Sequence, residues 1–151
     1  MLPDHPEMPS PQAPLNRQPG EALLQRSAAL GRGHDTRAQI SSAMVALKKR
    51  FYGKGPDRAR SYLVDEYVFC AMEGGLTRNE ETLVEAGEEQ AVRDYRLLFQ
   101  STMAPTTTDA IEQLVGRRVI GYHSQITFRP TRAFEIFVLG DQLARDPSAG
   151  S

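Results

Sequence analysis

The chain has 151 residues, a formal net charge of −1, 40% hydrophobic and 25% charged residues. That length and balance suit one soluble domain with a sizeable core and exclude the global basicity of a nucleic-acid binder. No apolar run approaches the roughly 18 residues of a membrane span, and Cys70, as the single cysteine, excludes an internal disulfide or a multi-cysteine metal site.

The first residues lack a basic segment followed by an apolar one, so no secretory signal is expected and the cytoplasm is the expected compartment. Six of the ten prolines (Pro3, Pro6, Pro9, Pro11, Pro14 and Pro19) fall before Gly20. Proline lacks an amide donor, and such a stretch cannot bury enough apolar surface to offset chain entropy. Residues 1–34 therefore read as a disordered tail and linker. Within it Glu21–Leu30 could form one short helix, broken by Gly31, Gly33 and His34.

The ordered domain is expected over residues 35–140, opening with a helix capped by Asp35 or Thr36. Its apolar residues Ile40, Met44, Val45, Leu47 and Phe51 recur at helical spacing. Gly53 ends it and Pro56 prevents its return. From Arg60 to Met72 the period changes to two. Tyr62, Val64, Val68, Cys70 and Met72 fall on one side, and Leu63, Tyr67, Phe69 and Ala71 on the other. Asp65-Glu66 suits a hairpin turn or a bulge, so the run is two short strands or one long bent strand.

Thr77-Arg78-Asn79-Glu80 has the pattern of a capping box, opening a helix that stops at Gly87. A second helix starts near Glu88-Glu89 with Val92, Tyr95, Leu98, Phe99 and Met103 on one face. Pro105 is expected to kink or end it, and Thr108 or Asp109 to restart a helix that ends at Gly116. Val119–Phe128 and Ala133–Leu139 read as a hairpin around Arg129-Pro130-Thr131-Arg132, and residues 141–151 as a frayed tail. Strands that arrive in pairs imply an α+β two-layer sandwich, a mainly antiparallel sheet with helices on one face, in the order α-ββ-αα(α)-ββ.

Charge is unevenly placed. Residues 37–60 hold seven basic residues against Asp57, and residues 61–95 hold nine acids against Arg78 and Arg93. Lys48, Lys49, Arg50, Lys54 and Arg58 could form a surface for an acidic partner or lipid head group; equally, the two segments could attract each other within the fold or across a dimer. Gly53-Lys54-Gly55-Pro56 follows a helix and precedes a strand, the reverse of a phosphate loop, and reads as a helix stop. Glu73-Gly74-Gly75-Leu76-Thr77 precedes a helix N-terminus, where free amides favour a small anion. Gly74, Gly75, Thr77 and Arg78 are the candidate anion site, with a tight strand-to-helix connection as the plainer alternative.

No metal ligand set is expected: His5, His34 and His123 are not paired at ligand spacing. His123 and Ser124 are adjacent in a strand and point to opposite faces, so they cannot form a dyad. Cys70 lies in an apolar run and reads as a small buried hydrophobe. An enzyme using Asp65, Glu66 or Glu73 as a base would need those acids to converge in one pocket.

Several motifs in order resemble one bacterial family: Gly53-Lys54-Gly55-Pro56, Tyr62-Leu63-Val64-Asp65-Glu66, Glu73-Gly74-Gly75-Leu76-Thr77, Leu83-Val84-Glu85-Ala86-Gly87, Gly116-Arg117-Arg118-Val119, Ser124-Gln125 and Glu135-Ile136-Phe137-Val138-Leu139. Over about residues 36–140 the chain resembles the MpsC-like family, long described as a domain of unknown function. Pro105 with Thr106–Thr108 interrupts a stretch expected to be continuous helix in relatives. The family is named for a membrane-potential-generating system implicated in cation-coupled bicarbonate uptake, of which it is the small soluble component. The resemblance implies a non-enzymatic cytoplasmic accessory protein, a homodimer that docks on a membrane transporter subunit at the inner face of the membrane. It carries over no catalytic residue and no cofactor. A bicarbonate- or carboxylate-sensing domain is the alternative.

Overall fold

A computed structural model describes residues 19–144, and the side chains of residues 35–144. The chain divides into two compact units, residues 1–32 and 33–151. Helix α1 spans Pro19–Tyr52 without the break expected at Gly31, Gly33 and His34. A glycine inside a helix costs only about 1 kcal/mol and removes no backbone donor, so unlike proline it does not force a stop. The expected tail before Pro19 lies outside the described residues.

In the second unit Ile40 and Met44 of α1 are fully buried, with Leu47 packed beside them. The helix ends where expected. Gly53 takes a left-handed φ of 79° and its amide donates to Lys49 O at 2.9 Å, a conformation glycine adopts without a Cβ penalty.

Strands β1 (Arg58–Val64) and β2 (Tyr67–Glu73) form an antiparallel hairpin. Its turn is Asp65-Glu66, with Asp65 at φ 51°. The hairpin corrects one expected face. Tyr62 lies opposite Phe69, and Ser61 opposite Cys70. A two-residue turn pairs even positions of β1 with odd positions of β2. Tyr62 and Val64 therefore share the face of Tyr67 and Phe69, away from Val68, Cys70 and Met72.

Helix α2 (Arg78–Glu85) opens on the expected capping box. The Glu80 amide donates to Thr77 Oγ1, and the Thr77 amide donates back to Glu80 Oε1 at 3.0 Å. Helix α3 runs unbroken from Glu89 to Val115, through Pro105, correcting the expected stop. Val92 is buried before the proline and Thr107 and Ile111 after it, so packing holds both halves on one axis. Nearby hydroxyls bond carbonyls of the same stretch: Thr102 Oγ1 donates to Leu98 O and Thr108 Oγ1 to Ala104 O.

Strands β3 (Arg117–Thr127) and β4 (Arg132–Gln142) complete a four-stranded antiparallel sheet in the order β1-β2-β4-β3. β4 continues past the expected boundary at 140, tied by Arg117 Nε donating to Gly140 O at 2.8 Å. One face carries the core, where Val68, Cys70, Met72, Ala133, Phe137 and Leu139 meet Ile40, Met44 and Ile111. A smaller cluster of Leu76, Val92 and Ile126 lies beside it. The fold is the expected α+β arrangement.

Candidate functional site

Alternation along β4 sends Ala133, Glu135, Phe137 and Leu139 into the core face. Glu135 is fully buried there, opposite Cys70 on β2 and Ser124 on β3. A carboxylate in that position needs a cation, and Lys48, one turn after Met44 on α1, provides it. Lys48 Nζ lies 2.6 Å from Glu135 Oε1, an ion pair whose angles do not make an aligned hydrogen bond.

A second pair lies across the same helix end. Arg96 of α3 donates through Nε to Glu80 Oε2 at 2.6 Å and through Nη2 to Glu80 Oε1 at 2.7 Å. The same Nη2 reaches Gly75 O at 3.1 Å. Burial alone would raise the Glu80 carboxyl, but the Arg96 bonds and the Thr77 amide outweigh it and hold it below the usual value. Tyr52 joins the two pairs: Arg96 Cζ is 4.3 Å from its ring centre and Lys48 Nζ 5.4 Å. Burial pushes the Tyr52 phenol up to about 12. Burial, and then the charge of Glu135, push Tyr122 up as well.

Beside these groups is a cavity of about 260 Å³, lined by Lys48, Tyr52, Gln90, Arg93, Arg96 and Ser124 among others. Each lining cation has a carboxylate: Glu135 for Lys48, Glu80 for Arg96, and Glu89 at 3.8 Å from Arg93. Leu97, Ile126 and Ala133 complete a mixed polar and apolar wall, and Glu89 is shared with Arg129. The Tyr52 and Tyr122 phenols stay protonated near neutral pH, and burial also raises the Cys70 thiol. These groups suit holding the three helices to one another and to the sheet, and presenting hydrogen-bond donors to a small guest.

Residues 33–141 match the family described as MpsC, Na+-translocating membrane potential-generating system. The chain belongs to the MpsC family. The match takes in Lys48, Glu80, Arg96 and Glu135, and every element from the second half of α1 through β3, with β4 up to residue 141. The chain is also 24% identical over 113 residues to the uncharacterized protein YrhF of Bacillus subtilis strain 168, covering 74% of this chain and 93% of that one. No solved structure matches.

In this MpsC-family fold the residues expected as an anion site are brought together but are already engaged. The Gly74 amide donates to Thr131 O at 3.1 Å, the Thr77 amide to Glu80, and Gly75 O accepts from Arg96. Glu80, from the same chain, stands where an outside anion was the candidate occupant, and Arg78 is exposed. The five basic residues expected on one surface separate. Lys48 turns inward to Glu135, while Lys49, Arg50 and Lys54 stay exposed around the end of α1, Lys54 lying 3.8 Å from Glu81. Arg58 lies on the far face of the sheet, opposite Glu73. Asp65 and Glu66 sit at one end of the β1–β2 hairpin, about 23 Å from Glu73 at ~3.3 Å per strand residue, so these acids do not converge. His123 is exposed, and Cys70 is buried as expected.

Sequence reading missed Glu135, Arg96 and Tyr122. Glu135 interrupts the apolar run Phe134–Leu139. The available signal was its parity: it alternates with Ala133 and Phe137, so it belongs to the buried face.

Proposed function

We propose that this protein is a non-enzymatic accessory subunit of a membrane-potential-generating system that couples cation movement to bicarbonate uptake. On this reading it is a cytoplasmic homodimer that docks on a membrane-embedded subunit at the inner face of the membrane. The observation that carries the proposal is the family match over residues 33–141. No helix among the described residues is long and apolar enough to cross a membrane, so the ion path is assigned to the docked partner. The exposed Lys49, Arg50 and Lys54 at the end of α1 are the proposed docking patch for an acidic or lipid-adjacent surface. The proposal is supported if deleting the gene impairs growth or bicarbonate uptake at low carbon dioxide and wild type, but not a Lys49→Glu/Arg50→Glu/Lys54→Glu variant, restores it. A deletion strain with normal growth and uptake would count against it.

A second reading is favoured by the cavity that Lys48, Arg93 and Arg96 line: a sensor for bicarbonate or a small carboxylate. Isothermal titration with those anions tests it. Saturable heat, reduced in Arg93→Ala, supports the sensor; no heat at millimolar ligand rules it out.

A further inference from the structure

We propose that the open face of the sheet is where two copies of this chain pair, about a two-fold axis that runs across the strands. This deepens the homodimer reading above by naming its face and its symmetry.

Within residues 33–144, Ile40 and Met44 of α1 and Ile111 of α3 pack on the face that carries Val68, Cys70 and Phe137. Cross-strand register assigns the opposite face. Tyr62 lies beside Phe69, Phe69 beside Ile136 and Ile136 beside His123. The neighbouring rows place Val64, Tyr67 and Val138 together on one side and Ala71 with Phe134 on the other. Tyr62, Phe69 and Phe134 form a continuous aromatic strip, with ring centres 6.0 and 5.9 Å apart. Ile120 lies over Gly140 on this face and is 70% exposed. An apolar sheet face left to water is the usual mark of an interaction surface.

The charges at the two ends choose the partner and the axis. Arg58, Arg60 and Arg132, with Glu73 between them, lie at one end of the face; Asp65 and Glu66 lie in the turn at the other. A two-fold axis parallel to the strands would stack basic end on basic end. An axis across the strands, through the Tyr62–Phe69–Ile136 row, stacks each basic end on the partner's acidic turn. This axis carries Arg58 of one copy to the end of the face where the partner's Asp65-Glu66 turn stands, twice per dimer. Aligned stacking of two such sheets is an ordinary packing, and the contact is isologous. Four strands of seven residues span roughly 19 by 23 Å at ~4.8 Å between strands and ~3.3 Å per residue. Two faces then remove on the order of 900 Å² of flat area, near the lower bound of about 1,000 Å² for specific interfaces.

The experiment is sedimentation equilibrium of the full chain with Arg58→Glu, Glu66→Arg and the double variant, together with bismaleimide cross-linking of Ile136→Cys and, as control, Leu98→Cys on α3. Each single reversal should weaken self-association roughly tenfold and the double should return it to within about threefold of wild type. The two positions lie at opposite ends of β1, so recovery cannot arise within one copy. Ile136→Cys should cross-link to its own copy while wild type, with Cys70 buried, does not. A dimer indifferent to the reversals and cross-linked at Leu98→Cys would overturn this face and leave the homodimer standing. A monomer at all concentrations would overturn both. A monomer whose Ile136→Cys becomes reactive only after removal of residues 1–18 would assign the face to the chain's own tail.

Discussion

Arg96 grips both carboxylate oxygens of Glu80, at 2.6 and 2.7 Å, while Glu80 closes the capping box of α2. The pair thus ties α3 to the start of α2, and Arg96 Nη2, donating to Gly75 O, ties α3 to the turn that follows β2 as well. Bidentate geometry in a nearly dry setting is the kind that matters energetically. Removing one partner leaves the other charge buried, so Arg96→Ala should lower the unfolding free energy by about 3–5 kcal/mol. Arg96→Lys cannot make both bonds and should recover only part of that loss. Urea denaturation followed by circular dichroism checks both.

The same pair sets an acid limit. The Glu80 carboxyl is held below its ordinary 4.5 in the folded chain. Above that ordinary value both states are ionised and the full contribution is present. As pH falls from 4.5 through the lower folded value, protonation favours the unfolded chain and the contribution is lost. Stability of the wild type should therefore fall more steeply than that of Glu80→Gln between about pH 5 and pH 3. Parallel slopes in urea melts over that range would show that Glu80 is not a source of acid sensitivity.

Lys48 and Glu135 form the second buried pair, with the Glu135 side chain fully buried and that of Lys48 13% exposed. Lys48→Met should cost about 3–5 kcal/mol because it strands a carboxylate in the core. Adding Glu135→Leu should restore most of it, since an apolar pair of similar volume needs no compensation. A double mutant as unstable as the single would mean that the pair contributes more than mutual neutralisation.

Gly75 is confined in a way Gly116 is not. Both have positive φ, 84° and 71°. A Cβ on Gly75 would stand 3.0 Å from Pro56 Cα, whereas one on Gly116 meets nothing within 4 Å. Gly116→Ala should cost about 1 kcal/mol from backbone strain alone, and Gly75→Ala clearly more, because backbone and not a flexible tip is in the way. Equal losses in thermal melts would contradict the close approach of the two loops.

Much of this fold was legible because its local signals agree with its packing. Thr77 and Glu80 announce α2, Gly53, Gly87 and Gly116 mark helix ends, and period-two runs locate all four strands. Three features were not legible. Glycines at 31 and 33 only weaken a helix, and burial of Thr107 and Ile111 beyond Pro105 carries α3 through a residue that local rules treat as a stop. The face of Tyr62 and Val64 depended on the length of one turn. The site was harder still. At Gly74–Arg78 the capping-box Glu80 was legible, but the hold of Arg96, distant in sequence, on both oxygens of that carboxylate was not. Glu135 reads as an interruption until Lys48 arrives from another element. Charge compensation between remote segments leaves no local periodicity.

The central claim, that this MpsC-family protein serves a membrane-potential-generating system, is tested most directly by the potential itself. Membrane potential should be measured with a voltage-sensitive dye in cells grown at low carbon dioxide, with the gene present, deleted and restored. The account predicts a reduced potential in the deletion strain and recovery on complementation with the wild-type chain. An unchanged potential in the deletion strain would contradict it.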